Sequence, residues 1–284
     1  MRKQKVIAIV GPTASGKSAL GVYLAKKLNG EIISADSRQI YRGMKIISRA
    51  EPAHMVGIAD PRREYSAGQF AKDAAKIHSN ILQNVRMTIV VGGTGFYAEA
   101  FLTTPLPQVA PNKKLRAQLA TKSPKQLLAI LKKLDPKSAG RVDPQNSVRL
   151  VRAIEIATAL GKVPPLRQET TYEVLWLGLP TPKNYERVLR NGVEKRLELG
   201  MIAEAKKLRG TLPRKRFLEL GFEFKFLADY LDKKLLKREL VEALVRGERN
   251  YAKRQSRWFR RNKDIRWINN KTAALRLARK FLSR

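Results

Sequence analysis

Five consecutive apolar residues, Val6 to Val10, run directly into Gly11. A strand covered on both faces reads as such a continuous run, so this segment is expected to be a buried parallel strand. The stretch from Lys17 to Leu28 then reads as a helix ending at Asn29-Gly30, and Glu31 to Ala35 as a second strand running into Asp36. Together these make a βαβ unit. A helix over Ser66 to Asn84 leads to a third apolar strand, Thr88 to Val91, and Val174 to Leu179 reads as a strand returning to the sheet. Between them, Pro105, Pro107 and Pro111 precede helical, basic sequence through Leu160, with a second break at Pro164-Pro165. The expected fold is therefore α/β, a parallel-sheet core over 1–112 and 172–284 with a helical insertion domain over 113–171.

In parallel sheets of this kind ligands bind at the carboxyl edge of the strands. Three loops are delivered there: Gly11 to Ser18, Asp36 to Tyr41 and Gly92 to Tyr97. The first, Gly11-Pro12-Thr13-Ala14-Ser15-Gly16-Lys17-Ser18, fits G-x-x-x-x-G-K-[ST] at the end of a strand, so the expected core is P-loop NTPase-like. Its backbone N–H groups and the following helix N-terminus face an anion, Lys17 reaches phosphate oxygens, and the Ser18 hydroxyl is a candidate Mg²⁺ ligand.

The helix over Lys237 to Arg261 has two faces when turned at about 100° per residue. Leu240, Leu244, Val245, Tyr251, Trp258 and Phe259 share one arc, assigned to packing, and Arg246, Arg249, Lys253, Arg257 and Arg260 share the other. Like charges at this spacing repel, and a facing polyanion relieves that cost; a merely solvated face is the alternative. The whole chain repeats the signal. Its 284 residues carry 58 Lys+Arg against 24 Asp+Glu, a formal charge of +34. Absence of cysteine excludes disulfides and thiolate chemistry, and two scattered histidines, His54 and His78, make no zinc cluster. No apolar run approaches the ~18 residues of a membrane span, so a cytoplasmic protein without membrane contact is expected.

With Asp36-Ser37-Arg38-Gln39-Ile40-Tyr41 and Gly92-Gly93-Thr94-Gly95-Phe96-Tyr97 added to the phosphate loop, the chain resembles the tRNA dimethylallyltransferase (tRNA isopentenyltransferase) family. Asp60 to Ala67, Arg149 to Glu155 and Tyr251 to Gln255 extend the resemblance over nearly the whole chain. It implies transfer of a dimethylallyl group from dimethylallyl diphosphate to N6 of the adenosine 3′-adjacent to the tRNA anticodon. On this reading the loop Gly11 to Ser18 holds diphosphate with Mg²⁺ at Ser18, and Asp36 accepts the proton of the amine. Lys17 and Thr94 assist the leaving group, and Arg116 also faces the diphosphate. Asp36, Ser37, Arg38 and Gln39 meet the adenosine; Val148, Arg149, Leu150, Val151 and Arg152 meet the anticodon stem-loop. A monomer is expected. Loop capping is the alternative role for Asp36, and a P-loop small-molecule kinase or a non-enzymatic RNA-binding switch the alternative for the chain.

Three places depart from the family pattern: Val148 stands where Gln is usual, Lys45 to Ala50 replaces a G-T-A-K segment, and Gly221-Phe222-Glu223-Phe224 replaces G-Y-R-Q. The last change removes a basic residue, for which Lys225 is the nearest substitute.

Overall fold

The computed structural model describes residues 3–165 and 172–284. It divides into two compact units, Met1–Thr103 with Thr170–Arg284, and Thr104–Glu169. The second therefore begins ahead of the expected boundary at 113, taking in the proline-rich lead-in. The expected end at 171 lies outside the described residues.

The first unit is built on a sheet ordered β2-β3-β1-β4-β5. Its strands are β1 (Gln4–Val10), β2 (Gly30–Ser34), β3 (Met87–Gly92), β4 (Tyr172–Gly178) and β5 (Arg266–Trp267). All pairings are parallel, with Ile7 opposite Ile89 on one side of β1 and Leu175 on the other. The central place of β1 explains its unbroken apolar run: Val6 to Val10 are completely buried.

Helix α1 (Lys17–Lys27) follows β1, α2 (Ala67–Gln83) precedes β3, and α3 (Gly95–Leu102) follows it. Ser66 starts α2 with a capping box to Gln69, which satisfies the orphan N–H groups at that end. The tyrosines of the family-like segments are structural. Tyr41 Oη accepts the Tyr65 N–H at 3.1 Å, and Tyr97 Oη–H donates to the Tyr65 carbonyl at 2.8 Å. His78 is likewise a core residue, bridging Thr88 and Gln4.

The second unit contains α4 (Lys113–Leu119), α5 (Pro124–Leu134), α6 (Pro136–Ala139) and α7 (Ser147–Leu160). Leu119, Leu127, Leu131, Leu150 and Ile154 form its own core. The rest of the chain supplies α8 (Tyr185–Glu198), α9 (Met201–Thr211), α10 (Arg214–Glu219), α11 (Phe222–Leu231), the long α12 (Lys237–Phe259) and α13 (Lys271–Leu282).

Candidate active site

Backbone geometry at the three carboxyl-edge loops follows from a few small residues. Gly11 is required because a Cβ there would lie 2.6 Å from the Leu179 carbonyl oxygen. Ala14 and Gly16 both take positive φ, 58° and 90°, so the loop curls before α1 begins. Its second and third residues offer nothing to an anion through N–H groups. Pro12 has none, and the Thr13 N–H donates to Gln255 Oε1 at 2.8 Å. The Ser15 N–H donates to the Pro12 carbonyl at 3.3 Å, so the amides left for a phosphate are those of Ala14 and of Gly16 onward, ending in the first turn of α1.

Lys17 lies alongside, its ammonium donating to the Pro12 carbonyl at 3.1 Å. Burial lowers its pKa to about 8, against the opposing pull of Asp36. It remains a cation at neutral pH, poorly hydrated and ready for an anionic partner.

The second and third loops are bonded to each other. Ala35 N–H donates to the Val91 carbonyl at 2.8 Å, and Thr94 N–H to the Ala35 carbonyl at 3.1 Å. The approach is so close that a Cβ on Gly92 would lie 2.1 Å from that Ala35 oxygen. Two residues further, Ser37 N–H donates to Thr94 Oγ1 at 3.0 Å, and the Thr94 hydroxyl donates to Ser37 Oγ at 3.2 Å. Asp36, only 6% exposed, sits at this junction. Its Oδ1 accepts the Arg38 N–H at 3.0 Å, while Oδ2 accepts no hydrogen bond among the described residues. The capping role and a free basic oxygen thus coexist on one carboxylate.

Lys17, Ser18, Asp36, Arg38 and Gly92 line one cavity of about 220 Å³, which the expected convergence of the loops requires. Its far wall is a set of buried ion pairs. Arg38 pairs with Glu223 and lies over the Tyr251 ring at 4.6 Å; Arg49 reaches Glu248 at 2.7 Å, and Arg196 pairs with the same carboxylate. Burial opposes charge on Arg38, yet the facing Glu223 and Asp36 outweigh it and hold the guanidinium protonated. Gln39 is similarly committed: its Oε1 accepts from Ser34 Oγ at 2.7 Å, and its Nε2 donates to the Ser48 and Arg49 carbonyls at 3.2 Å each. Of the residues expected to read a base, Ser37 to Gln39, all three side chains are already engaged within the protein.

Sequence reading missed Arg49, Arg196, Glu223 and Glu248 as parts of this wall, and Gln255, which bonds the phosphate loop. A signal existed for two of them. Glu248 and Gln255 fall on the buried face of α12 with Val245, Ala252 and Phe259, and polar residues on an apolar stripe mark a site. Lys225 is exposed on α11 and does not line the cavity, so it does not take over the place that Glu223 occupies.

On the opposite face of α12, Arg246, Lys253, Arg257 and Arg260 are exposed, and Arg249 lies 3.4 Å from Glu186. Within the helical unit, Arg116 and Arg152 both engage the buried Glu155, at 2.7 and 3.3 Å. Two cations on one anion leave net positive charge. Val148 and Arg149 are exposed, whereas Leu150 is fully buried in that unit's core, so its side chain offers nothing to a partner.

Among the described residues no group of three or more His, Cys, Asp or Glu side chains forms a metal cage. The Ser18 hydroxyl beside the phosphate loop suits Mg²⁺ all the same, because that ion keeps waters and takes most of its other oxygens from a phosphate group. The Ser15 Oγ, buried and without a hydrogen-bond partner, marks the same loop as built for a further polar ligand.

The IPP transferase family model matches residues 39–262. The tRNA dimethylallyltransferase of Pelotomaculum thermopropionicum is 37% identical, with 94% of this chain and 91% of the relative covered. That of Halalkalibacterium halodurans is 36% identical over the same shares. Among solved structures, a eukaryotic dimethylallyltransferase acting on tRNA superposes with a TM-score of 0.86 at 25% identity, covering 99% of this chain and 80% of that one. The full-length tRNA isopentenylpyrophosphate transferase from Bacillus halodurans gives 0.70 at 32% identity, covering 99% and 96%.

Proposed function

The chain belongs to the tRNA dimethylallyltransferase family, and from that premise we propose that it transfers the dimethylallyl group of dimethylallyl diphosphate to N6 of the adenosine 3′-adjacent to a tRNA anticodon. Diphosphate is the leaving group. The observation that carries this reading is one cavity shared by a phosphate loop with its lysine and a buried carboxylate with a free oxygen, Lys17 and Asp36.

The N6 amine is a weak nucleophile because its lone pair is delocalised into the purine ring. As it attacks the C1 carbon of the allyl group, the N–C bond forms, the C–O bond to the diphosphate breaks, and the amine becomes acidic. Asp36 Oδ2 takes that proton, while the bond from Arg38 N–H to Oδ1 fixes the carboxylate's orientation. Charge gathering on the diphosphate is met by the Lys17 ammonium and the amides of Ala14 and of Gly16 onward, donors already in place before reaction. The Thr94 hydroxyl, which pairs with Ser37 within the protein, is assigned to the bridging oxygen. Ser18 would hold Mg²⁺, which when bound would supply further neutralisation of the leaving group.

Arg116 is assigned to the diphosphate and the exposed Arg149 to the RNA backbone, with Arg152 held by Glu155 beside it; these assignments rest on the family resemblance and the positive charge of that unit. No helix among the described residues is long and apolar enough to cross a membrane, and a cytoplasmic monomer is the proposed state.

A P-loop kinase is the competing class. Incubation with labelled dimethylallyl diphosphate and tRNA, followed by nucleoside mass analysis, separates the two: N6-dimethylallyladenosine with release of diphosphate supports the transferase. ATP turnover with a small acceptor and no modified nucleoside contradicts it.

A further inference from the structure

Gln255 touches two of the three loops at once. Its Oε1 accepts the Thr13 N–H at 2.8 Å, and its Nε2 donates to the Gly93 carbonyl at 2.8 Å. The side chain is 5% exposed, and a Cβ on Gly93 would lie 2.3 Å from Nε2, so the loop is shaped around it. From the other side, the Tyr185 hydroxyl donates to the Thr13 carbonyl at 3.0 Å. One turn further along α12, Trp258 packs against Gly95 and its Nε1–H donates to Glu99 at 2.7 Å.

We propose that Gln255 is a positioning residue for the transfer, setting the distance between the phosphate loop and the Gly93-Thr94 loop through the two ends of one carboxamide. A carboxamide carries an acceptor at one end and a donor at the other whatever the pH, so it accepts from a backbone N–H and donates to a backbone carbonyl at once. Its acceptor end turns the Thr13 N–H away from the anion and so fixes where the remaining loop amides point. Its donor end anchors Gly93, and with it the Thr94 hydroxyl and the Ser37 contact beside Asp36. The two ends therefore serve different quantities: Thr13 the affinity for diphosphate, Gly93 the turnover.

The inference rests on the transferase reading, and its test is arranged so that each fails separately. Gln255→Leu removes both bonds; Gln255→Glu keeps the acceptor for Thr13 and, when ionised, loses the donor to Gly93. The measurements are affinity for inorganic diphosphate with Mg²⁺ by calorimetry, kcat and donor KM with tRNA, tRNA affinity, and Tm. Gln255→Leu is expected to weaken diphosphate binding ~10-fold and lower kcat by ~10-fold or more, with tRNA affinity unchanged. Gln255→Glu is expected to bind diphosphate nearly as wild type but to turn over slowly at pH 8. Its kcat relative to wild type then recovers as pH falls to 6, because a buried carboxyl is protonated there and donates as the amide did.

Wild-type diphosphate affinity and kcat in Gln255→Leu would overturn the proposal. So would parallel losses in all four quantities with no recovery of Gln255→Glu at low pH, the mark of a merely structural residue. Absence of transfer by the wild-type chain contradicts the transferase reading instead, and the calorimetric arm still decides the role of the Thr13 bond.

Discussion

Arg38 and Glu223 form a buried ion pair across the cavity wall, joining the loop after β2 to the first turn of α11. Asp36 lies 3.7 Å from the same guanidinium, so Glu223 supplies the anion that keeps Arg38 from being Asp36's partner alone. Burial raises the Glu223 pKa while Arg38 pulls it back, and removing either partner strands the other charge. Glu223→Ala is therefore expected to destabilise the protein by about 3 kcal/mol, and Glu223→Gln by less, since the amide still accepts a hydrogen bond. Denaturant unfolding checks this; a loss below about 1 kcal/mol in Glu223→Ala would show that Arg38 finds another partner.

Lys17 gives a pH prediction with a definite sign. Its pKa is lowered to about 8 by burial, so the ammonium that meets the diphosphate is present below that pH and lost above it. Bound diphosphate favours the charged form, and its affinity should fall ~10-fold between pH 7 and pH 9 on this account. Ionisation of the ligand itself acts in the opposite direction, which makes Lys17→Met the reference. Calorimetry of both proteins across that range should show the fall in wild type only; equal pH slopes would remove Lys17 from the binding step.

Gly92, the last residue of β3, lies against Ala35, the residue that follows β2. Any Cβ at this position meets the Ala35 carbonyl oxygen at 2.1 Å, and backbone cannot step aside as a flexible side chain can. Gly92→Ala should cost about 2 kcal/mol or more of stability by overpacking. It should also reduce turnover, because spreading the two strands separates Asp36 from Thr94. Thermal unfolding alongside steady-state kinetics reads both effects, and a fully active, fully stable variant would contradict the close approach.

Lys253, Arg257 and Arg260 lie exposed on the outer face of α12, in no ion pair among the described residues, whereas Arg249 has Glu186 nearby. Neutralising the three should weaken tRNA binding and flatten the log–log salt dependence by about 2 units, from ~0.7 to 0.9 per lost phosphate contact. Diphosphate affinity should not move. An unchanged salt slope would show a solvated face and shift the search for the RNA surface to Arg149 and its neighbours.

Four of the strands, the three loops and the two faces of α12 were legible because each rests on local rules: continuous apolar runs for buried strands, a glycine pattern for a phosphate loop, a helical period for a buried stripe. The edge strand β5 was not, because two residues, Arg266 and Trp267, carry no such run. The insertion's beginning at Thr104 was not, because Pro105 to Pro111 read equally well as linker or as part of the helical unit. Asp36 was found from its place at a strand end. Glu223 was read as the loss of a cation, since sequence alone cannot say that Arg38, 185 positions away, is waiting for it. Gln39 was read as a base contact for the same reason: its three hydrogen bonds go to Ser34, Ser48 and Arg49, and a side chain's prior commitments are tertiary facts.

The central claim is that Asp36 accepts the proton from the attacking amine. Asp36→Asn preserves size and the acceptor for Arg38 N–H while abolishing proton acceptance at the second position. The decisive measurement is single-turnover transfer from dimethylallyl diphosphate to prebound tRNA, with diphosphate and tRNA affinities determined on the same protein. Transfer slowed ~100-fold or more with both affinities within a few fold of wild type is the predicted result. Transfer at near wild-type rate by Asp36→Asn would contradict it, and leave the carboxylate only its capping bond to Arg38.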